Sequence, residues 1–211
     1  MSEATFIGGV VLAGGRGRRL GGGKCLRPLA GRPLIAHAID RAAPQLDGVV
    51  LAVAEAADAA PLAGLGLPWV ADAVPGRAGP LAGLLAGIDW WRTRAPACAG
   101  IVSLPCDTPF LPADLVARLR AAATEGGGAV AASAGRLHPV CAWWPVGLAD
   151  ALRAALAGAK PPPLTDWVRA QGFAEVAFDV AAIDPFFNVN APDDLRRAEA
   201  HLAGRPDPPA A

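Results

Sequence analysis

Short apolar stretches alternate along the chain with longer segments in which apolar residues recur every three or four positions. The short stretches predict buried strands at 5–12, 48–54, 69–72, 99–105, 126–135, 137–145 and 174–180. The periodic segments predict helices at 33–43, 79–94, 113–123, 149–158, 161–172 and 191–204. Alternating strands and helices predict an α/β fold, in which helices cover both faces of a mostly parallel central sheet.

The composition narrows the class of protein. The chain has 211 residues, and its 19 Lys and Arg balance its 19 Asp and Glu. Proteins that bind nucleic acid or an anionic membrane draw affinity from a basic surplus, so we expect neither partner here. Hydrophobic residues make up 53% of the chain. No uncharged, proline-free run approaches the roughly 18 residues that a membrane span requires.

The length fits one domain, which we predict at 1–203, followed by a disordered tail at 204–211. The N-terminus has no basic segment ahead of an apolar stretch, so it does not resemble a secretory signal, and we expect a cytoplasmic protein. The four cysteines form no C-x-x-C pair. Their irregular spacing predicts four free thiols rather than a zinc site or a disulfide framework.

The segment after the first strand, LAGGRGRRLGGGK at 12–24, is rich in glycine and carries three arginines and one of the chain's two lysines, Lys24. Glycines let backbone N–H groups approach an anion, so the segment predicts a polyphosphate site. It is not a dinucleotide fingerprint, which requires glycine where Leu20 stands. It is not a P-loop either, because Arg18 and Cys25 occupy positions that a P-loop reserves for Gly and Ser or Thr.

Two aspartates end predicted strands. Asp107 follows the strand 99–105, and the prolines of the sequence after it predict a rigid turn. One carboxylate in that position suits Mg²⁺, which keeps several waters and binds substrate phosphates; an N-cap is the alternative. Asp72 ends another strand, where it predicts either a contact to a base or ribose or a local cap.

Three further kinds of side chain have open roles. Asn190 precedes the last helix and reads as its N-cap, whereas Asn188 has no such explanation and is the better candidate for a ligand contact. His138 lies on a predicted strand, where a structural hydrogen bond is the simpler role. Packing in the core is the simpler role for the tryptophans, which are Trp143, Trp144 and Trp167.

Several of these strings carry a family resemblance. They resemble the motifs of the molybdenum cofactor guanylyltransferases and stand in the same order. The strings are LAGGRGRRLGGGK with the downstream PLAGRPL, GPLAG at 79–83, CDTPFLP at 106–112, the His-Pro pair at 138–139 and FNVNAPDD at 187–194. The resemblance extends from about residue 8 to 200. It implies a Rossmann-like three-layer sandwich of the nucleotide-diphospho-sugar transferase type.

The resemblance also implies roles for individual residues. The implied nucleotide-binding residues are Leu12, Ala13, Gly14, Gly15, Lys24, Asp72 and Asp107. Arg19 and Lys24 are implied on the triphosphate and, with Asp107, in catalysis, and Asp107 is the implied ligand of Mg²⁺. Asn188 and Asn190 are implied at the pterin acceptor.

The implied reaction moves GMP from GTP to the terminal phosphate of molybdopterin that carries molybdenum, and it releases pyrophosphate. Molybdenum-insertion proteins or molybdoenzyme chaperones are the implied partners. Two positions depart from the family pattern, because Gly23 stands where an Asp is usual and Ala52 where an Asn is expected. Three alternatives stay open: a molybdopterin cytidylyltransferase, another nucleotidyltransferase acting on sugar phosphates, or a silent pterin-binding relative that has lost tight GTP binding.

Overall fold

The computed structural model describes residues 6–14, 23–74, 79–158 and 160–206. The strands in these ranges are β1 (Phe6–Leu12), β2 (Pro28–Leu29), β3 (Arg32–Pro33), β4 (Gly48–Val53), β5 (Trp69–Ala71), β6 (Cys98–Pro105), β7 (Ala129–Ser133), β8 (Arg136–Pro145) and β9 (Ala174–Ala177). The α-helices are α1 (Leu34–Ala42), α2 (Pro80–Arg94), α3 (Leu115–Ala122), α4 (Ala149–Ala157), α5 (Leu164–Ala170) and α6 (Pro192–Leu202). Short 3₁₀ helices cover Lys24–Leu26, Ala43–Gln45, Ala56–Leu65 and Val146–Leu148.

Seven of these strands form one sheet in the order β5-β4-β1-β6-β8-β7-β9. All neighbours pair in parallel except at β8, which runs antiparallel to both β6 and β7. The chain therefore builds outward from β1 through β4 to β5 and then crosses to the other side of β1 for β6. In an open α/β sheet, ligands bind where the strand order reverses, outside the carboxyl ends of the strands. That point lies between β1 and β6.

Each face of the sheet packs against its own set of helices. Successive residues of β1 point to opposite faces, so Val11 packs with α1 and α3 on one face, while Val10 packs with α2, α4 and α5 on the other. Both valines are fully buried. The helices thus form two outer layers around the sheet, and the predicted three-layer α/β sandwich with a mostly parallel sheet is confirmed.

Trp91, Trp144 and Trp167 pack in the second of these layers, and Trp143 packs in the first. The Trp91 ring lies against Gly8 and Gly48, where an added Cβ would come within 2.6 Å of ring atoms. Its indole N–H donates to the Gly9 carbonyl at 3.1 Å. Gly8 of β1 and Gly48 of β4 therefore make room for the indole ring. The three tryptophans assigned to packing by their sequence context, Trp143, Trp144 and Trp167, are at most 5% exposed.

Three structural details were not predicted from the sequence. β2 and β3 form a two-stranded antiparallel ribbon too short to show a period. The segment Ala56–Leu65 contains Pro61 and forms a 3₁₀ helix that ends at Gly66 in the left-handed conformation. The direction of β8 was also not foreseen, because its apolar pattern is the same in either direction.

Candidate active site at the carboxyl end of the sheet

The residues expected to bind nucleotide collect at the carboxyl ends of neighbouring strands. Ala13 continues β1, and its N–H donates to the Ala52 carbonyl of β4 at 2.8 Å. Asp72 follows β5, and its N–H donates to the Val53 carbonyl at 2.8 Å. These bonds extend the sheet past its last strand residues. They hold the three strand ends in one rigid edge that faces the first turn of α2.

Gly83 marks the place where that edge meets α2. A Cβ added to Gly83 would lie 3.1 Å from Leu12 Cδ2, 3.2 Å from Asp72 Oδ1 and 3.3 Å from Ala52 Cβ. The Asp72 carboxylate, the β1 end and the helix are thus within van der Waals contact across a gap that only glycine leaves open. Gly14 is equally close to β4, since its Cβ would lie 3.1 Å from the Ala54 nitrogen. The GPLAG string was the sequence signal for this contact, although the role of Gly83 was not foreseen.

Lys24 lies at the point of strand reversal. Its ammonium donates hydrogen bonds to the Asp107 carboxylate and to the Asn190 side-chain oxygen. The Lys24 and Asp107 side chains are only 15% and 16% exposed, so water screens their charges weakly. The chain therefore brings together a cation from the first loop, a carboxylate from the end of β6 and an amide from the segment before α6.

The backbone before Lys24 explains one departure from the family pattern. Gly23 has φ +61° and ψ +31°, in the left-handed region that glycine adopts without the steric cost borne by other residues. The 3₁₀ turn Lys24–Leu26 begins immediately after it. Glycine at position 23 thus fits the turn that aims Lys24 at Asp107.

Two thiols adjoin this ion pair. Cys25 and Cys106 follow Lys24 and precede Asp107 in the chain, both are buried, and their side chains hydrogen-bond to each other. The hydrogen bond from the Cys106 thiol lowers the pKa of Cys25, and the same bond together with burial raises the pKa of Cys106. All four cysteines are free, as the spacing predicted, and all four are buried.

The turn after β6 is tied to the segment before α6. The Val189 N–H donates to the Asp107 carbonyl at 3.0 Å. The Thr108 hydroxyl donates to the Asn188 side-chain oxygen at 2.6 Å. With its oxygen engaged by Thr108, Asn188 keeps its amide N–H groups for another partner. The structure thus brings Asn188 and Asn190 to Asp107.

Two N-cap interpretations of these residues are wrong. Asn190 does not cap α6, because Ala191 occupies the N-cap position and the Asp194 carboxylate accepts the N–H groups of Asn190 and Ala191, each at 2.8 Å. A carboxylate in the first helical turn satisfies these donors as well as a cap residue does. Asp107 does not cap a helix either, since α3 begins at Leu115.

A cavity of about 610 Å³ opens beside Asp107, on the side of the sheet that holds β8 and β7. Its lining comprises Pro105, Asp107, Thr108, Gly135, Arg136, Leu137, His138, Pro139, Val140, Cys141, Thr165, Arg169, Phe186 and Asn188. Most of the lining comes from 135–141 and α5, whose part in the site the sequence left open. Within the described ranges, neither Arg136 nor Arg169 has an acidic partner. Two guanidinium groups without an acidic partner in the described ranges therefore border the cavity.

A buried hydrogen-bond chain supports one wall of the cavity. The Ser133 hydroxyl lies 2.9 and 2.8 Å from the two Asp184 carboxylate oxygens and 2.7 Å from His138 Nε2. The His138 ring also stacks on Phe186, with ring centres 4.5 Å apart. Burial lowers the pKa of His138, against an opposing pull from Asp184. The structural hydrogen bond expected of this histidine is present, and the same ring faces the cavity.

Two expected site residues, Gly15 and Arg19, lie outside the described residues. In the part of the chain that the structure describes, no group of three or more His, Cys, Asp or Glu side chains is placed to hold a metal ion. Asp107 offers one carboxylate, and among the residues that the structure describes its second oxygen has only a 3.5 Å contact, with the Thr108 hydroxyl. That donor set fits Mg²⁺ bound jointly by substrate phosphates and water, and it does not fit a metal held by protein ligands alone.

Comparison with known proteins agrees with this arrangement. Residues 9–174 match the family described as MobA-like NTP transferase domain. The chain also shares its fold with molybdopterin-guanine dinucleotide biosynthesis protein A from Archaeoglobus fulgidus, with a TM-score of 0.71 and 24% identity over 93% of this chain and 99% of that one. These matches define the class as nucleotidyltransferases of the MobA-like fold.

Curated relatives narrow the class. The molybdenum cofactor guanylyltransferase of Bradyrhizobium sp. strain ORS 278 is 47% identical over 94% of both chains. That of Rhodopseudomonas palustris strain BisB5 is 49% identical over 94% of this chain and 95% of its own. The protein belongs to the molybdenum cofactor guanylyltransferase family. The cytidylyltransferase alternative is therefore not favoured.

Proposed function

We propose that the protein transfers GMP from GTP to the terminal phosphate of molybdopterin carrying molybdenum, which yields molybdopterin guanine dinucleotide and pyrophosphate. One observation carries the proposal. The Lys24–Asp107 pair lies between the strand edge that ends in Leu12 and Asp72 and the cavity that contains Arg136 and Arg169. A nucleotide on one side and an anionic acceptor on the other would meet at this pair.

The strand edge suits the nucleoside. Ala13 and Gly14 present backbone there, and Gly14 has no side chain to keep a base away. The Asp72 carboxylate is held against Gly83 and is placed to accept hydrogen bonds from ribose hydroxyls or from guanine N–H groups. Ala52 is buried beneath this contact and offers no polar group. Recognition of the base on this edge therefore depends on Asp72 and on backbone groups.

Lys24 suits the triphosphate. An ammonium group has three N–H donors, and two are engaged by Asp107 and Asn190. The third remains for a phosphate oxygen, and the other two fix its direction. A compact positive charge in a weakly screened position stabilises negative charge that develops on the phosphates during transfer. Arg19, in the glycine-rich loop, is proposed to add a second cation.

Asp107 would hold Mg²⁺ together with the phosphates of GTP. When bound, the ion supplies positive charge that polarises the α-phosphorus and neutralises the departing pyrophosphate. Asp107 is oriented for this role by Lys24 and by the backbone bond from Val189. The protein's own part is to keep that carboxylate fixed between the strand edge and the cavity.

The cavity suits the acceptor. A phosphate monoester is an anion, and the guanidinium groups of Arg136 and Arg169 pair with phosphate through two parallel hydrogen bonds. The amide of Asn188 can donate to the same phosphate from the Asp107 side. Because the attacking oxygen is already negatively charged, the transfer requires alignment and charge neutralisation rather than a general base.

Two further proposals rest on the family resemblance. We propose that the enzyme acts in the cytoplasm and passes its product to molybdenum-insertion proteins or molybdoenzyme chaperones. Among the described residues, no helix is long and apolar enough to cross a membrane.

Titration calorimetry with GTP and with CTP in the presence of Mg²⁺, followed by product analysis with molybdopterin, tests the proposal. We expect tight binding of GTP, weak binding of CTP, and formation of the guanine dinucleotide together with pyrophosphate. Tight CTP binding would indicate a cytidylyltransferase. Pterin binding without binding of either nucleotide would indicate a silent relative.

A further inference from the structure

Hydrogen bonds that involve Ser133 and Asp184 determine which ring nitrogen of His138 carries the proton. The Asp184 carboxylate can only accept hydrogen bonds, so the single hydroxyl proton of Ser133 is directed to it. The Ser133 oxygen must then accept from His138, and the 2.7 Å contact requires a proton on Nε2. In the neutral ring, Nδ1 is consequently an acceptor.

The second ring nitrogen of His138 has no hydrogen-bond partner among the described residues. His138 lines the cavity, and its Nε2 is engaged by Ser133. No fully buried side-chain nitrogen or oxygen in the described ranges lacks a partner, and no hydrogen bond to Nδ1 is present there. Nδ1 therefore keeps some access to solvent, although the residue as a whole is only 9% exposed, and the cavity is the space that His138 lines. An acceptor of fixed direction inside a cavity is a recognition element.

The surroundings define what this acceptor can bind. Phe186 stacks on the His138 ring and also lines the cavity, which favours a flat ring beside the two side chains. A phosphate oxygen is excluded as the partner of Nδ1, because two acceptors cannot share a hydrogen bond without a proton. The partner must bring an N–H or O–H donor, and the stacked wall favours a donor that belongs to a planar ring.

We propose that Nδ1 of His138 accepts a hydrogen bond from a ring N–H or amino group of the heteroaromatic acceptor, in an orientation fixed by Ser133 and Asp184. The inference rests on the proposed function, since that function places a pterin in the cavity. His138 is then a specificity-determining residue, and Ser133 and Asp184 are positioning residues that act through it.

Two substitutions test the roles of the two ring nitrogens of His138 separately. His138→Asn places an amide oxygen near the position of Nδ1 and loses the contact to Ser133, whereas His138→Gln reaches Ser133 and loses the acceptor at Nδ1. We expect His138→Gln to weaken binding of metal-free molybdopterin by about tenfold, the value of one hydrogen bond, and His138→Asn to weaken it clearly less. Binding is measured by calorimetry without GTP, and the KM for GTP should stay unchanged in both variants.

Each result has one meaning. Equal binding by the two variants, or a raised KM for GTP with an unchanged KM for molybdopterin, overturns the inference while leaving the proposed function intact. Wild-type protein that binds molybdopterin but forms no dinucleotide overturns the proposed function alone. Wild-type protein that does not bind molybdopterin overturns both.

A measurement on the wild-type protein covers the case in which a variant does not fold. The charged groups around the His138 ring are Asp184, Arg136, Arg169 and Asp107. Protonation turns Nδ1 into a donor, so molybdopterin binding should weaken as pH falls through the pKa of His138, which burial places below its ordinary 6.5. The acceptor phosphate also titrates at about pH 6, so a folded His138→Asn protein should retain only the pH dependence that comes from the phosphate, and its loss of binding should be smaller than that of the wild type. Binding that does not change with pH in the wild type, or that changes equally in the wild type and in the variant, contradicts the inference.

Discussion

The Lys24 ammonium is paired with the Asp107 carboxylate, although 83 positions separate the two residues in the chain. Each residue belongs to a different segment after a strand, one following β1 and the other following β6. Because β1 and β6 are neighbours, the two segments meet without any long side chain reaching across the sheet. This pair is the basis of the first prediction.

Lys24→Ala and Asp107→Asn should each lower kcat/KM for pyrophosphate release from GTP by about a hundredfold or more, because each removes a fixed charge at the transferring phosphate. The rate is measured with a coupled pyrophosphate assay. Lys160→Ala is the matched control, since it removes the chain's other lysine from an exposed position. Near-normal turnover in either site variant, with the control unchanged, would rule out these roles.

Gly83→Ala should raise the KM for GTP by about tenfold. Its new methyl group would lie 3.2 Å from the Asp72 carboxylate and 3.1 Å from Leu12, so the nucleoside edge must shift. Overpacking of this kind costs about 1–3 kcal/mol in the free energy of unfolding, which denaturant titration measures. Gly147→Ala has no atom within 4 Å of its new methyl group, so it should leave the KM for GTP unchanged and should not lower the free energy of unfolding. An unchanged KM for GTP would show that the Asp72 edge does not bind the nucleoside.

Asn188→Asp keeps the oxygen that accepts from Thr108 and replaces the amide nitrogen with a second oxygen. The variant should fold normally, because the 2.6 Å contact with Thr108 is preserved. Its added negative charge should repel the acceptor phosphate and lower the rate of dinucleotide formation by about tenfold or more, with a smaller effect on GTP binding. Thermal melting and GTP calorimetry provide the controls. A variant with the wild-type rate would remove Asn188 from the acceptor site.

Arg136→Gln and Arg169→Gln should each raise the KM for molybdopterin by about tenfold, and raised salt should weaken acceptor binding less in the variants than in the wild type. Arg120→Gln is a suitable control, because Arg120 is an exposed arginine on α3 that does not line the cavity. If all three substitutions have the same small effect, the cavity does not bind the acceptor through its arginines.

The stability of the protein should also depend on His138. Burial lowers the pKa of His138 below its ordinary 6.5, so the unfolded chain binds a proton on this residue before the folded protein does. The free energy of unfolding should thus be highest above pH 6.5 and fall as pH drops toward the lowered pKa. Urea titrations at pH 7.5 and 5.5 measure the loss, which should be smaller in His138→Gln. A larger loss in the variant would contradict this assignment.

Much of the fold and part of the site could be predicted from local sequence. Buried strands such as β6 are continuous apolar runs, and Asp107 stands directly after one, so its place at the ligand edge follows from chain order. The pairing of Lys24 with Asp107 follows once β1 and β6 are known to be adjacent. The family resemblance then supplied the candidate roles.

Other parts of the site depend on contacts that have no local pattern. Ser133 ends an ordinary alanine-rich strand, and Asp184 lies 51 positions away, so nothing nearby in the sequence connects either to His138. The N-cap of α6 was wrongly placed at Asn190, since the sequence could not show that the Asp194 carboxylate would satisfy the same donors. A long-range hydrogen bond determines the surroundings of His138, and a competing hydrogen bond determines the N-cap of α6.

The reversed direction of β8 means that the cavity and the nucleotide-binding strand edge are built from separate segments of the chain. Because β8 runs opposite to its neighbours, its first residues, rather than its last, reach the ligand edge, and they follow a two-residue turn at Ala134 and Gly135. Both turn residues have positive φ, which matches the twist of a tight hairpin. The cavity wall formed by 135–141 thus belongs to a hairpin that can vary independently of the β1, β4 and β5 ends. A change of acceptor, in evolution or by engineering, could proceed by exchanging this one hairpin while the nucleotide-binding strand edge stays unchanged.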